Sequence, residues 1–486
     1  MAKSLSEKTD KNVSGSIDRK RMRLIIFAVV IGTFMSALDS SVVNIALPRI
    51  SEHFKAPLSV IEWVVMSYLL VISSLLLTYG RLGDMYGHKR IYIAGFIIFT
   101  AGSILCGLAP SVLLLIIFRA IQALGAGMLM SMGPAIVTNV APPDERGKAL
   151  GATAVAVSVA LTTGPVLGGF LTSHFGWQSI FYINIPVGIA GTLWANKVIP
   201  EASRREAQTF DIAGAAIVFI ALISLLLPLS FTERYGWRNP YIIPALIFGI
   251  LLLAVFVMVE KRTKHPMVDL AMFRSRLFAM SNVSALINYM AQFSVTLLMP
   301  FYLQQLRGLS PSQAGLMLIP MPITMTVIAP ISGILSDRID SRYISSSGMA
   351  VISFGIWLLS KLNYDSSNIS IIIALVVTGL GIGLFQTPNN SAIMGSVPGN
   401  RRGIASSLLA TMRNMGMVTG IAVSGAIFSS RMAYLKELLS SQGITGTELR
   451  VSSFVGAFHF AYIVASVLAA VAVLTSLARG SMKIKQ

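Results

Sequence analysis

Residues 80–90 read GRLGDMYGHKR, and residues 333–343 read GILSDRIDSRY. Gly80 pairs with Gly333, Asp84 with Asp337 and Lys89 with Arg342, at a separation of 253 positions. The stretch RGKALGATAVAVSVALTTG (146–164) returns as RGIASSLLATMRNMGMVTG (402–420) at a separation of 256. Arg146, Gly147 and Gly164 thereby match Arg402, Gly403 and Gly420. Pro48 with Pro300, and Pro134 with Pro388, keep nearly the same spacing. Repeats of this length at one offset imply two similar halves in one chain.

The material of the halves is apolar. Of 486 residues, 54% are hydrophobic and only 12% charged, against about 25% charged in a soluble domain. With a mean hydropathy of +0.74, the chain is expected to be an all-α integral membrane protein. Fourteen apolar stretches are long enough to cross a bilayer as helices, the first at 24–47 and the last at 455–478. Six fall in each repeat and two, about 211–230 and 240–260, lie between. The expected organisation is a disordered basic tail (1–23), a six-helix bundle (24–200), two inserted helices with linkers (205–265), a second six-helix bundle (270–480) and a short tail (481–486).

Charge orients these spans. The net charge is +18. With the amino terminus in the cytoplasm, 27 Lys and Arg fall on the cytoplasmic side, nine outside, and two, Arg119 and Arg413, inside spans. That bias follows the positive-inside rule and places both termini in the cytoplasm. It also accounts for the basic balance without nucleic acid, since basic loops face an anionic inner leaflet. A polar stretch of 23 residues precedes the first span and no A-x-A-like site follows it, so that span is expected to remain as an anchor. The single cysteine, Cys106, excludes an internal disulfide and reads as a buried small residue.

Several patterns carry chemistry. In 80–90, Gly80, Gly83 and Gly87 allow a tight turn between spans, while Arg81, Asp84, Lys89 and Arg90 can latch one state of a moving assembly, with Asp337 as the second-half copy. In span five, Ala160, Gly164 and Gly168 form a small-residue stripe, Gly169 follows, and Pro165 bends the helix. Asp39 interrupts an apolar run, where an acid costs about 2.5–3.5 kcal/mol on insertion scales. Arg119 stands midway along span four with Gln122 on its face. Their second-half counterparts fall near Ala291 and Ile373, so the charged chemistry concentrates in the first half. Asp39 and Arg119 are the candidates for proton coupling; the weaker reading of Asp39 is a helix-end acid capping backbone. Candidates for a substrate cavity are Asn44, Gln122, Gln292, Met290, Gln386, Asn389 and Arg413, among methionines whose soft side chains suit varied shapes. Arg413 can instead pair with carbonyls or head groups. No second acid lies deep in the later spans. No GxxxxGK[ST], HExxH or GxSxG occurs, and the loops are too short for an enzyme domain.

These motifs resemble the major facilitator superfamily, and within it the fourteen-span drug–proton antiporters of the EmrB/QacA type. GRLGDMYGHKR looks like the loop 2–3 signature, RAIQALGAG the span-four motif, and ALTTGPVLGG the antiporter motif, with Ala160 where glycine is usual. LDSSVVNIALP, WQSIFYINIPVG and FDIAG are similar to marks of the fourteen-span branch. The resemblance implies an exporter of amphipathic, often cationic, drugs or dyes in the plasma or inner membrane, working by alternating access; a monomer is expected. It would be driven by the proton motive force without a cofactor or metal. Asp39 and Arg119 would couple protons, Asp84 would gate, and Gly164 and Pro165 would shape the exchange. Some relatives use a periplasmic adaptor, and some carry second-half acids for dications that this chain lacks. Exporting one dedicated metabolite, peptide or lipid is the alternative, and a non-transporting sensor or scaffold the remote one.

Overall fold

A computed structural model describes residues 18–142, 145–201, 212–235, 239–262, 270–336, 338–398 and 402–480. Asp337, the tail 481–486 and most of the tail 1–23 lie outside the described residues. The first half holds α1 (Arg19–Phe54), α2 (Leu58–Ile61), α3 (Trp63–Tyr86), α4 (His88–Gly107), α5 (Val112–Val140), α6 (Arg146–Phe175), α7 (Ser179–Tyr182) and α8 (Asn184–Val198). Two helices intervene, α9 (Ile212–Tyr235) and α10 (Ile242–Arg262). The second half holds α11 (Arg276–Phe301), α12 (Pro311–Leu318), α13 (Pro320–Ser336), α14 (Ser341–Leu359), α15 (Asn368–Gly395), α16 (Arg402–Ser441) and α17 (Gly446–Ala478).

Local chemistry sets the ends. Helix α1 begins inside the segment expected as a tail, because Asp18 caps it by accepting from the Lys20 N–H at 3.3 Å. Ser310 and Gln313 form a reciprocal capping box at α12, with Pro311 at its first position. Gly87 joins α3 to α4 at φ +94°, a conformation that disfavours any side chain.

Among the described residues, eleven helices are long and apolar enough to cross a membrane. Three of the fourteen expected spans are not among these eleven. The stretch from α7 to α8 is broken into pieces of 4 and 15 residues. Helix α9 is apolar in sequence from Ile212 to Leu229, of which Ala216–Leu225 forms an apolar helix among the described residues. Helix α14 is diluted by Arg342 and by Ser345, Ser346 and Ser347. The architecture is therefore all-helical with eleven to fourteen candidate crossings.

The repeat is physical. Helix α4 packs along α5 as α14 does along α15, and α1 pairs with α6 as α11 does with α16. A Cβ on Gly125 would lie 2.3 Å from the Phe99 nitrogen, and one on Gly381 2.5 Å from the Ile352 nitrogen. Gly102 lies against the Gln122 backbone as Gly355 lies against Thr378. These contacts register Gln122 with Thr378, so the counterpart of Arg119 is Leu375 rather than Ile373; both are apolar.

Two seams join the halves and are themselves a symmetric pair, α6 against α12 and α16 against α3. A Cβ on Gly315 would lie 2.1 Å from the Pro165 carbonyl oxygen, and one on Gly169 2.3 Å from that of Pro311. Ser312 donates through its hydroxyl to the Gly169 carbonyl at 3.2 Å and through its N–H to Ser173 at 3.1 Å. Between the seams, Gln304, just after α11, donates to the Ile45 carbonyl of α1 at 2.7 Å. On the other seam Gly425 lies against the buried Glu62. All these contacts sit at the end of the bundle remote from the 80–90 turn, which is thus the closed end. Helix α9 touches both α3 and α16, so the inserted pair flanks one seam.

Candidate functional site

The acid in the apolar run is not a backbone cap. Asp39 is 1% exposed and Arg119 fully buried, and Arg119 Nη1 reaches Asp39 Oδ2 at 2.6 Å. Oδ1 of Asp39 accepts from Gln122 Nε2 and from Asn184 Nδ2, each at 2.9 Å. Three donors from α5 and α8 thus converge on one carboxylate of α1. Arg119 also donates through Nη1 to Gln122 Oε1 at 2.6 Å and through Nε to the Val64 carbonyl at 3.0 Å. Ser103 accepts from Gln122 at 2.8 Å, and Cys106 lies 3.7 Å from Gln122 Oε1. Glycine makes this possible, because Gly102 lets α4 meet the backbone of Gln122 itself.

Such a pair survives burial only when both partners are satisfied. One donor remains unused: Arg119 Nη2 has no hydrogen-bond partner. The guanidinium instead lies over the Tyr68 ring, 4.1 Å from its centroid. A proton arriving on Asp39 would compete with one of its three donors and leave Arg119 without its anion. The arrangement can therefore exist in two electrostatic states.

Beside the cluster, between the halves, lies a cavity of about 220 Å³. Its walls come from α1, α3, α5 and α6 on one side and from α11, α12, α13, α15 and α16 on the other. Tyr68 belongs to both places: one face covers Arg119 and the residue lines the cavity. Asn44, Gln292, Gln386 and Arg413 come together on the cavity wall, with Pro165. Gln122, Met290 and Asn389 do not. Gln122 is spent on Asp39. Met290 takes the opposite helical phase to Tyr289 and Gln292, and its backbone lies under Gly420. Asn389 is held away by bonds to the Ser281 carbonyl at 3.1 Å and from Arg479 at 3.2 Å.

The remaining motif residues take structural stations. Gly80 faces Ser131 as Gly333 faces Thr387, and Gly83 lies on the Met132 sulfur. Lys89 is half-buried and Arg90 exposed at the start of α4. Arg81 and Asp84 occupy the last turns of α3, with side chains outside those described. Ala160 is fully buried, Gly164 abuts Ser41 and Gly168 abuts the Val42 carbonyl, whereas Pro165 and Gly169 face α12 across the seam. The stripe therefore serves α1 on one face and the opposite half on the other.

A duplicated helical bundle, a cavity on its pseudo-symmetry axis and a buried charge set beside it agree with the family comparison. The model for the Major Facilitator Superfamily matches residues 29–212, 194–421 and 281–480. The chain belongs to the Major Facilitator Superfamily.

This superfamily member is 38% identical to the riboflavin transporter RibZ of Clostridioides difficile, over 87% of this chain and 91% of that protein. It is 33% identical to the multidrug resistance protein Stp of Mycobacterium tuberculosis over 84% of this chain and 76% of Stp. The multidrug transporter protein MdtP of Bacillus subtilis is 30% identical over 86% of this chain and 77% of its own length. Among solved structures, a bacterial homologue of the human lysosomal transporter Spinster superposes with a TM-score of 0.71 at 15% identity, covering 95% of this chain and 98% of that one. That likeness carries the fold. The chain is thus an integral membrane transporter of this superfamily, whose members are transporters rather than enzymes.

Sequence reasoning missed Asn184, Ser103 and Tyr68 as members of the cluster and Asn414 as part of the cavity wall. Asn184 lies inside the quoted WQSIFYINIPVG stretch, and a polar residue opening an apolar helix was its only signal.

Proposed function

We propose that this protein exports amphipathic small molecules in exchange for protons by alternating access. The observation that carries the reading is the enclosed Asp39–Arg119–Gln122–Asn184 cluster behind Tyr68, one residue away from the central cavity. Asp39 takes a proton from one side and gives it up on the other, while the halves rock about the cavity. The two seams part when the closed end opens, and the 80–90 turn with its copy at Asp337 latches the opposite end. The proton motive force supplies the energy and no cofactor takes part.

The fourteen-span EmrB/QacA-type branch, the plasma or inner membrane, cytoplasmic termini and a monomeric state belong to this reading. The basic bias toward the 80–90 side supports that orientation, which makes the closed end the outer one. The identity to Stp and MdtP supports a broad substrate range. A second reading, transport of one dedicated metabolite, is favoured by the 38% identity to a riboflavin transporter.

The test is efflux from energised cells or vesicles loaded with a panel of neutral, cationic and anionic dyes and with riboflavin, with and without a protonophore. Protonophore-sensitive export of several unrelated dyes supports the first reading. Movement of a single compound supports the second, and movement of none across the panel sinks the first.

A further inference from the structure

The cavity's charge is the opposite of what a cation exporter needs. Among the described residues no Asp or Glu lines it. The nearest acid known to be in play, Asp39, is 1% exposed, paired with Arg119 and separated from the cavity by Tyr68. The cavity wall does carry one full positive charge. Arg413 makes no ion pair or hydrogen bond among the described residues, and its Nε is buried without a partner.

Other donors stand on the same wall. Asn414 follows Arg413 on α16, is 3% exposed, and its Nδ2 is buried and unpartnered. Tyr289 accepts from Gln386 Nε2, which leaves its own O–H free to donate. Gln292 has a buried, unpartnered Oε1, and half a turn of the amide would present its NH₂ instead. The first half contributes chiefly apolar side chains, Ser and Thr hydroxyls, and Asn44, whose amide nitrogen is already committed to the Ser40 carbonyl at 2.8 Å. An uncompensated guanidinium whose Nε is buried, beside the buried and unpartnered Asn414 amide, is a site for negative charge, because each unmade bond at a buried group is costly.

Resting on the reading of this cavity as the transport site, we propose that its cargo is an amphipathic organic anion. The acidic head, a carboxylate, sulfonate or phosphate ester, sits on Arg413 with Asn414 and Tyr289. The apolar body lies across Phe293, Met321 and Met325. A fixed guanidinium fork suits such planar or tetrahedral oxyanions.

Three probes that share one ring separate the possibilities: 2-naphthalenesulfonate, 2-naphthamide and 2-naphthylmethylammonium. Binding is measured by equilibrium dialysis on the full chain in nanodiscs, and movement in energised proteoliposomes. The sulfonate is expected to bind about tenfold more tightly than the amide, with the ammonium weakest. Arg413→Gln should remove that tenfold advantage while amide binding stays within about twofold, which also reports an intact fold. Arg413→Lys should keep most of the advantage. Tightest binding of the ammonium, or an unchanged sulfonate in Arg413→Gln, overturns the proposal while leaving the cavity as a transport site. If no probe binds or moves, the proposal falls together with the transport reading.

Discussion

At the scale of single residues, the informative fact is that one carboxylate holds three helices in register. Asp39 belongs to α1, its donors to α5 and α8, and no donor is near it in sequence. Arg119→Ala would bury Asp39 without its cation, a change that costs about 3–5 kcal/mol in comparable pairs. The double variant Asp39→Asn with Arg119→Ala removes both charges and is expected to melt above Arg119→Ala alone in detergent. Equal or lower melting of the double variant would mean that Asp39 without its cation carries no burial penalty. Function should part from stability here. Asp39→Asn is expected to fold and to lose protonophore-sensitive export. Asn184→Ala, which leaves two donors in place, should retain a reduced rate. Full export by Asp39→Asn at matched expression would make Asp39 structural.

At the scale of helices, the glycines decide how near the chemistry can come. Gly102 lies so close to Gln122 that a Cβ would fall 2.6 Å from its Cα. Any side chain there must push α4 off α5 and draw Gln122 away from Asp39. Gly102→Val is therefore expected to abolish export and lower the melting midpoint, while Gly151→Val, where a Cβ meets nothing within 4 Å, should be tolerated. Retention of export by Gly102→Val would show that the Gln122 contact is dispensable. The glycine stripe of span five was legible as a pattern, because spacing of four marks one helix face. Its double service was not. Which neighbour lies against Gly164 and which against Gly169 depends on helices far off in sequence.

At the scale of the whole molecule, the closed end includes two seams at which glycines bring helices of the two halves into close contact. Ser173 and Ser312 meet across one of them at 3.1 Å. With the only native cysteine, Cys106, buried, the pair Ser173→Cys and Ser312→Cys offers a clean crosslink. Oxidation should halt transport and reduction restore it, while each single variant transports normally under both conditions. Undiminished transport with the bond confirmed by mass spectrometry would mean that the seam does not open in the cycle.

By itself the sequence determined the membrane class, the duplicated helical plan, the family and Asp39 and Arg119 as candidate charges within the spans. Each of these rests on local pattern: hydropathy over a span, spacing of small residues, a repeat at one offset, a charge where charge is costly. Only the tertiary structure decided that Asp39 and Arg119 touch, that Asn184 completes their shell, that Met290 and Asn389 stand away from the cavity, and that Arg413 faces it with no acid beside it among the described residues. Those facts depend on helical phase and on contacts between residues a hundred or more positions apart, as Asp39 and Asn184 are. Hydropathy carries no information about either, because a helix buried among other helices is apolar on nearly every face.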